Sequence, residues 1–230
     1  MDGLQILVVE TVGDAISIEP RVTTSPLSVK HLRLEESRVG ICGVITRLLN
    51  PDNVGLIDFN LTHCFISPGG ESVAHYHRET SEFYICLRGK ALINVGGVES
   101  SMSEGDCVFI PAFSEHEIIN DTEDEFEILV VNHPQYNPTD VYSSSDGGAR
   151  RLSDLLVHNL EENLNHKATN LRIAWAVEES GRVTTGETAL FVISGGGLLT
   201  VVEDAPMVID SGTAIYLPKG IWFELKEVKE

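Results

Sequence analysis

The run His75-Tyr76-His77 sets two imidazoles two residues apart. On a helix such a pair points about 200° apart, but on a strand residues i and i+2 leave the same face. Two imidazoles on one strand face can share a metal ion. Glu82 follows five residues after His77, on the wrong face under strict alternation. The polar stretch Arg78-Glu79-Thr80-Ser81 reads as a turn that brings it back over the same site. His116 comes 34 residues after Glu82, just past Pro111. It reaches the same pocket only if the sheet curls over on itself, as a closed barrel does. Three neutral imidazoles and one carboxylate suit Fe(II), Mn(II), Ni(II), Cu(II) or Zn(II), and leave two octahedral positions open. Open positions are what a catalytic metal needs, because substrate, dioxygen or water binds there. Tyr84 and Cys86 share alternation parity with Glu82, so both can face the same interior. There Tyr84 could hydrogen-bond a substrate or donate a proton, although a tyrosine filling a core is the commoner outcome. His63, on the preceding strand, either lines the pocket or is a satisfied core histidine.

The elements that must position these groups read as short β-rich runs separated by Gly, Pro, Asn and Asp. Examples are Phe83-Tyr84-Ile85-Cys86-Leu87, Ala91-Leu92-Ile93-Asn94-Val95 and Phe126-Glu127-Ile128-Leu129-Val130-Val131. Such texture argues for an all-β sandwich or barrel. One segment departs from it. Leu152, Leu155, Leu156, Leu160 and Leu164 follow helical spacing, which predicts an amphipathic helix over Arg151–Asn165. The Gly-rich run from Ser143 to Gly148 before it reads as a linker. The acidic run Asp121–Glu127 reads as an exposed hairpin tip.

The two halves repeat. Ser81–Leu92 (SEFYICLRGKAL) aligns with Thr188–Leu199 (TALFVISGGGLL), and Gly105–Pro111 with Gly212–Pro218, both at an offset of 107. An offset unchanged over about thirty residues implies two copies of one supersecondary unit. In the second copy Ala189 stands for Glu82 and Phe223 for His116, and no histidine follows His166.

At these residues the chain resembles the cupin superfamily. Gly69 through Gly89 (GGESVAHYHRETSEFYICLRG) resembles its first motif: a glycine, five residues, HxH, four residues, a glutamate, six residues and a glycine. Gly105 through Asn120 (GDCVFIPAFSEHEIIN) resembles the second: a glycine, five residues, a proline, then the third histidine and an asparagine. The resemblance implies a small jelly-roll barrel holding one divalent metal ion on His75, His77, Glu82 and His116. One position departs: where the family usually has glycine two residues after the proline, this chain has Phe113. The expected architecture is therefore all-β, two tandem cupin jelly-roll barrels with a short helical segment between them. Residues 1–142 form the metal-binding barrel, 143–166 the linker and helix, and 167–230 a degenerate, metal-free barrel.

Charge and composition narrow the partners. Formal charge is −19, from 16 basic and 35 acidic residues. That surface repels phosphate backbones and anionic membranes, so neither nucleic acid nor membrane is an expected partner. No apolar run approaches the roughly 20 residues that span a bilayer. Cys42, Cys64, Cys86 and Cys107 lack any CxxC spacing and read as reduced, buried thiols in a cytoplasmic protein. The β-like stretch Leu4–Ile18 has no place in the motif-bearing barrel and could cover a neighbour's sheet edge, which makes a homodimer the expected assembly. Function is read as a metal-dependent enzyme on a small polar, metal-chelating substrate. An Fe(II) dioxygenase leads, ahead of an isomerase or lyase of a sugar-like or hydroxy-carbonyl compound, with a non-enzymatic ligand-binding cupin third. Iron and manganese are preferred over nickel and zinc as the ion.

Overall fold

A computed structural model describes residues 3–12, 28–155, 157–160, 164–166, 169–176, 179–202 and 205–228. They divide into two compact units. One takes residues 35–51 and 57–159; the other takes the described parts of 1–34, 52–56 and 160–230.

The unit carrying the histidines is two antiparallel sheets. The larger runs in the order Val157–Asn159, Asp106–Ile110, Ser81–Arg88, Phe126–His133, Asn60–Ile66, Gly43–Leu49 and Ser37–Gly40. The smaller is His116–Ile119, Lys90–Val95 and Val98–Ser103. Alternation along each strand sends Cys64, Tyr84, Cys86, Ile93, Val108 and Ile128 inward to one apolar cluster. Gly89 closes the turn after the Ser81–Arg88 strand at φ 85°, and a Cβ there would sit 2.4 Å from the Glu125 carbonyl oxygen. Only glycine fits that turn. Asn120 fixes the next corner: its buried amide donates to the carbonyls of Ile66, Ser67 and Asp124 at 2.8–3.2 Å. The acidic tip beyond it is largely exposed, as the charge run predicts.

The second unit repeats this plan. Thr188–Ser194 stands for Ser81–Arg88 and Thr213–Leu217 for Asp106–Ile110, at the offset read from the sequence. Its interior is filled by Leu4, Ile6, Leu190, Leu199, Ile215 and Phe223 among others. Phe223, in the place of His116, is wholly buried. The fold is thus two jelly-roll barrels, one with a polar interior site and one packed with hydrocarbon.

Two expectations are corrected. The N-terminal strand Gln5–Thr11 does not belong to the first barrel, nor is it offered to a neighbouring chain. It pairs antiparallel with Leu171–Ala176 on one side and Thr188–Ser194 on the other. Phe126–His133 fills the equivalent slot in the first barrel, between Asn60–Ile66 and Ser81–Arg88. The second barrel is therefore completed from the other end of the chain, and the division into 1–142 and 167–230 does not hold. The reason is burial: Leu7, Val8 and Val9 are at most 1% exposed, which a lone sheet edge would not provide. The rest of the stretch expected to pair, residues 13–18, lies outside the described residues.

The helix expected over Arg151–Asn165 is absent among the described residues of that segment. Val157–Asn159 instead pairs with Asp106–Val108, and Leu164–His166 pairs with Leu171–Ile173. Leu152 and Leu155 pack against the first barrel's apolar cluster from an irregular, non-helical segment, with the Leu152 N–H donating to Gly96. Sheet and loop partners take the backbone groups that a helix would have paired internally. Among the described residues no helix is long and apolar enough to cross a membrane, and all four cysteines are free thiols.

Candidate metal centre

His75 and His77 lie on the stretch before the Ser81–Arg88 strand, where the Tyr76 backbone pairs with Tyr142 and His75 with His116. Period-two geometry puts both imidazoles on one side, with ring centroids 5.1 Å apart. The chain bends at Arg78-Glu79, and Glu82 enters the following strand facing the same point. The bend is held by a buried carboxylate: Asp140 accepts backbone N–H bonds from Arg78, Glu79 and Thr80 at 2.9–3.1 Å. His116 opens its own strand in the opposite sheet, and its ring comes within 4.3 Å of His75. One potential ligand atom from each of the four residues falls within 4.8 Å of the others, and all four residues are buried.

Every imidazole has its outer nitrogen committed. His75 Nδ1 donates to the Val73 carbonyl at 2.7 Å, His116 Nδ1 to Ser114 at 3.0 Å, and His77 Nδ1 to Asp140. A carbonyl only accepts, so Nδ1 carries a proton and Nε2 is the nitrogen turned inward, free to act as a ligand. Burial, with His116 second, pushes His75 down to about 4, so it is neutral at pH 7. Burial raises the Glu82 carboxyl, but His116, His77 and His75 outweigh that and hold it at about 2. One Glu82 oxygen, Oε1, accepts from the Asn132 amide. Asn132 in turn accepts from Asn60 at 3.0 Å. The other oxygen, Oε2, lies 2.8 Å from His116 Nε2 and 3.6 Å from His77 Nε2 without hydrogen-bond geometry. These three atoms are buried and have no hydrogen-bond partner.

Buried polar atoms left unpaired are costly, at about 1–3 kcal/mol each. Three of them converging on one point, two imidazole nitrogens and one carboxylate oxygen, fit a divalent cation. The residues suit the ion.

The centre opens on a cavity of about 290 Å³ bordered by His75, His77 and Glu82. Tyr84 lines it, buried, with its ring edge-on to His116 at 5.5 Å. Burial first, then Glu82, Cys42 and Cys64, raises its phenol well above the usual range, so it stays protonated. Asn60, Asn132, Tyr136, Arg38 and Arg47 also line this space. Cys86 belongs to the apolar core, and burial pushes its thiol up to about 12. His63 faces the other side of its strand, 3.1 Å from Glu127, and does not border the cavity. A second hollow of about 320 Å³ runs along Asn94, Glu115 and Arg150; of the four ligands only His116 borders it.

Sequence reasoning did not find Asp140, Asn132, Asn60 or the two arginines. Asp140 and Asn132 lie beyond both motifs, and only the fold returns them to the site.

Phe113, the departure from the glycine pattern, holds φ 69°, the left-handed region the family's glycine would adopt freely. Its N–H donates to His77 and its carbonyl accepts from Arg150, each at 2.6 Å. The Arg150 guanidinium lies over its ring at 4.5 Å. Phe113→Gly should therefore be close to neutral: relief of about 1 kcal/mol of backbone strain offsets the lost cation–π contact. Phe113→Val, β-branched in the same conformation, should be about 1–2 kcal/mol less stable than Phe113→Gly by denaturant unfolding.

Comparison with known proteins agrees with this geometry. Residues 62–132 match the family model for the cupin domain. An uncharacterized protein of Methanocaldococcus jannaschii is 26% identical over 97 residues, 42% of this chain and 78% of that protein. A mannose-1-phosphate guanylyltransferase of Klebsiella pneumoniae is 27% identical over 78 residues, 34% of this chain but 17% of its own length. Among solved structures, a Bacillus subtilis oxalate decarboxylase superposes with a TM-score of 0.64 at 13% identity, covering 91% of this chain and 76% of that one. Another structure of that enzyme, described for its Mn(II) centres, matches with a TM-score of 0.63 at the same identity and coverage. Residues 62–132 are thus a cupin domain. The fold has two barrels, with the four-residue group that could hold a metal in the first and none among the described residues of the second.

Proposed function

We propose that this chain is a divalent-metal-dependent enzyme acting on a small polar substrate that chelates the ion, with Fe(II)-dependent dioxygenation as its leading chemistry. The observation that carries the reading is the set of three buried, unpartnered donor atoms that converge beside a cavity bordered by two of their residues, His77 and Glu82. An ion bound there supplies Lewis acidity and, if it is iron, electron transfer to dioxygen. The chain's own residues do the rest. Asn132 holds the Glu82 carboxylate in one orientation, and the three backbone carbonyls fix the imidazole rings. Burial of Tyr84 keeps a phenol O–H available to donate to a substrate oxygen.

That protonated phenol also favours a second reading, an isomerase or lyase in which Tyr84 moves a proton. The structural neighbours named as oxalate decarboxylases, one described for Mn(II) centres, make manganese the second ion to test. Oxygen separates the two. Fe(II)-loaded protein, incubated with a panel of hydroxy acids, keto acids and diols in an oxygen-electrode cell, should take up one dioxygen per substrate consumed. Product without oxygen uptake would move the assignment to the isomerase or lyase reading. Tyr84→Phe should then lower kcat by about 100-fold or more, the usual weight of a proton-transfer group.

A further inference from the structure

The lining of the same cavity is of opposite sign to the molecule. The chain has 16 basic residues against 35 acidic, yet the charged side chains on this cavity wall besides the imidazoles are Arg38, Arg47 and Glu82. Glu82 is a ligand, and a divalent ion on it would leave the lining with a clear positive excess. Arg38 lies on the edge strand Ser37–Gly40, paired with Ile45 on the next strand. Arg47 lies on that next strand, half-buried, paired with Thr62, which also borders the cavity. Both charges act at one wall: burial and Glu82 push the Tyr136 phenol up, while Arg38 and Arg47 pull it down. Arg38 is exposed, so an ion pair on it is screened by solvent; Arg47 is half-buried and shares its lining with apolar Ile41, Ile45 and Val130, so an ion pair on it is screened less. Guanidinium groups take carboxylate or phosphate in bidentate pairs.

We propose, resting on the metal-dependent reading above, that the substrate is a small acid carrying a second anionic group. One end chelates the metal at His75, His77, Glu82 and His116, and the second anionic group pairs with Arg38 and Arg47. At 290 Å³ the cavity holds the equivalent of about ten waters, which limits the substrate to a compact molecule. A positive lining in a protein of charge −19 also concentrates small anions at the site against the field of the rest of the surface.

The test is calorimetric titration of metal-loaded protein with lactate, malate and 3-phosphoglycerate. All three share a hydroxy-acid end; the last two add a carboxylate or a phosphate. Either of these is expected to bind about 10-fold or more tighter than lactate, the tighter one naming the second group. In Arg38→Gln/Arg47→Gln that preference should fall to within about 2-fold, with metal content unchanged and lactate weakened less than malate or 3-phosphoglycerate. Equal binding of all three by the unsubstituted metal-loaded protein would overturn this inference and leave the metal-dependent reading standing. So would an undiminished preference in the double variant, or in Arg38→Gln alone should the double variant fold poorly. Protein that takes up no metal would overturn both.

Discussion

A His75→Ala/His116→Ala protein is expected to purify without the ion that the unsubstituted chain carries near one equivalent. Its metal affinity should fall by far more than the roughly 100-fold that loss of a supporting residue costs, because two of four donors disappear. Stability supplies a second readout. A ligand that binds only the folded state at about a thousand times its Kd adds roughly 4 kcal/mol. Saturating metal should therefore raise the melting temperature of the unsubstituted protein and leave that of the variant where it was. The apo proteins should differ less, since the variant also removes His116 Nε2, one of the three buried atoms without a partner. Melting curves with and without metal, measured beside elemental content, check both statements. A variant that keeps its metal-dependent shift would place the ion elsewhere.

The second large effect belongs to Asp140. It touches no ligand with its side chain, yet its carboxylate gathers the N–H groups of Arg78, Glu79 and Thr80 and so fixes the bend between His77 and Glu82. Its backbone carbonyl also holds His77 Nδ1. Hydrogen bonds to a charged acceptor contribute about 1.5–3 kcal/mol each and do not add fully. Asp140→Ala should cost about 3 kcal/mol of stability and about 10- to 100-fold in metal affinity. Asp140→Asn, which keeps one carbonyl acceptor, should lose less of both. Denaturant unfolding of the apo forms and competitive metal titration separate the two losses. An Asp140→Ala protein with unchanged metal affinity would show that the bend does not position the ligands.

How far the residues alone carry follows from where each signal is written. The convergence of the four residues was legible in part from local periods, His75 and His77 by strand alternation and Glu82 across a polar bend, while His116 needed the closed barrel that the family resemblance implies. The repeat at an offset of 107 matched Ser81–Arg88 with Thr188–Ser194 and Asp106–Ile110 with Thr213–Leu217, and showed through Phe223 and Ala189 that the second barrel lacks the first one's metal-binding residues. The home of Gln5–Thr11 was hidden, because an apolar strand does not say which sheet it completes. In the second barrel that slot is filled from the other end of the chain. Leu152, Leu155 and Leu160 misled for a related reason. Their spacing matches a helix, but Leu152 and Leu155 pack against the first barrel from an irregular segment while the backbone finds partners in Gly96 and the Asp106–Ile110 strand. Asp140, Asn132 and Arg38 act through tertiary placement, and nothing in their neighbours' order announces it.

The most direct measurement is elemental analysis of the purified, unsubstituted chain, followed by titration of the metal-stripped protein with Fe(II) and Mn(II). About one equivalent of a divalent transition metal per chain, recovered on titration, is the predicted result. A chain that carries none and binds neither ion would mean that His75, His77, Glu82 and His116 converge without holding a metal, and the account of the site would be wrong.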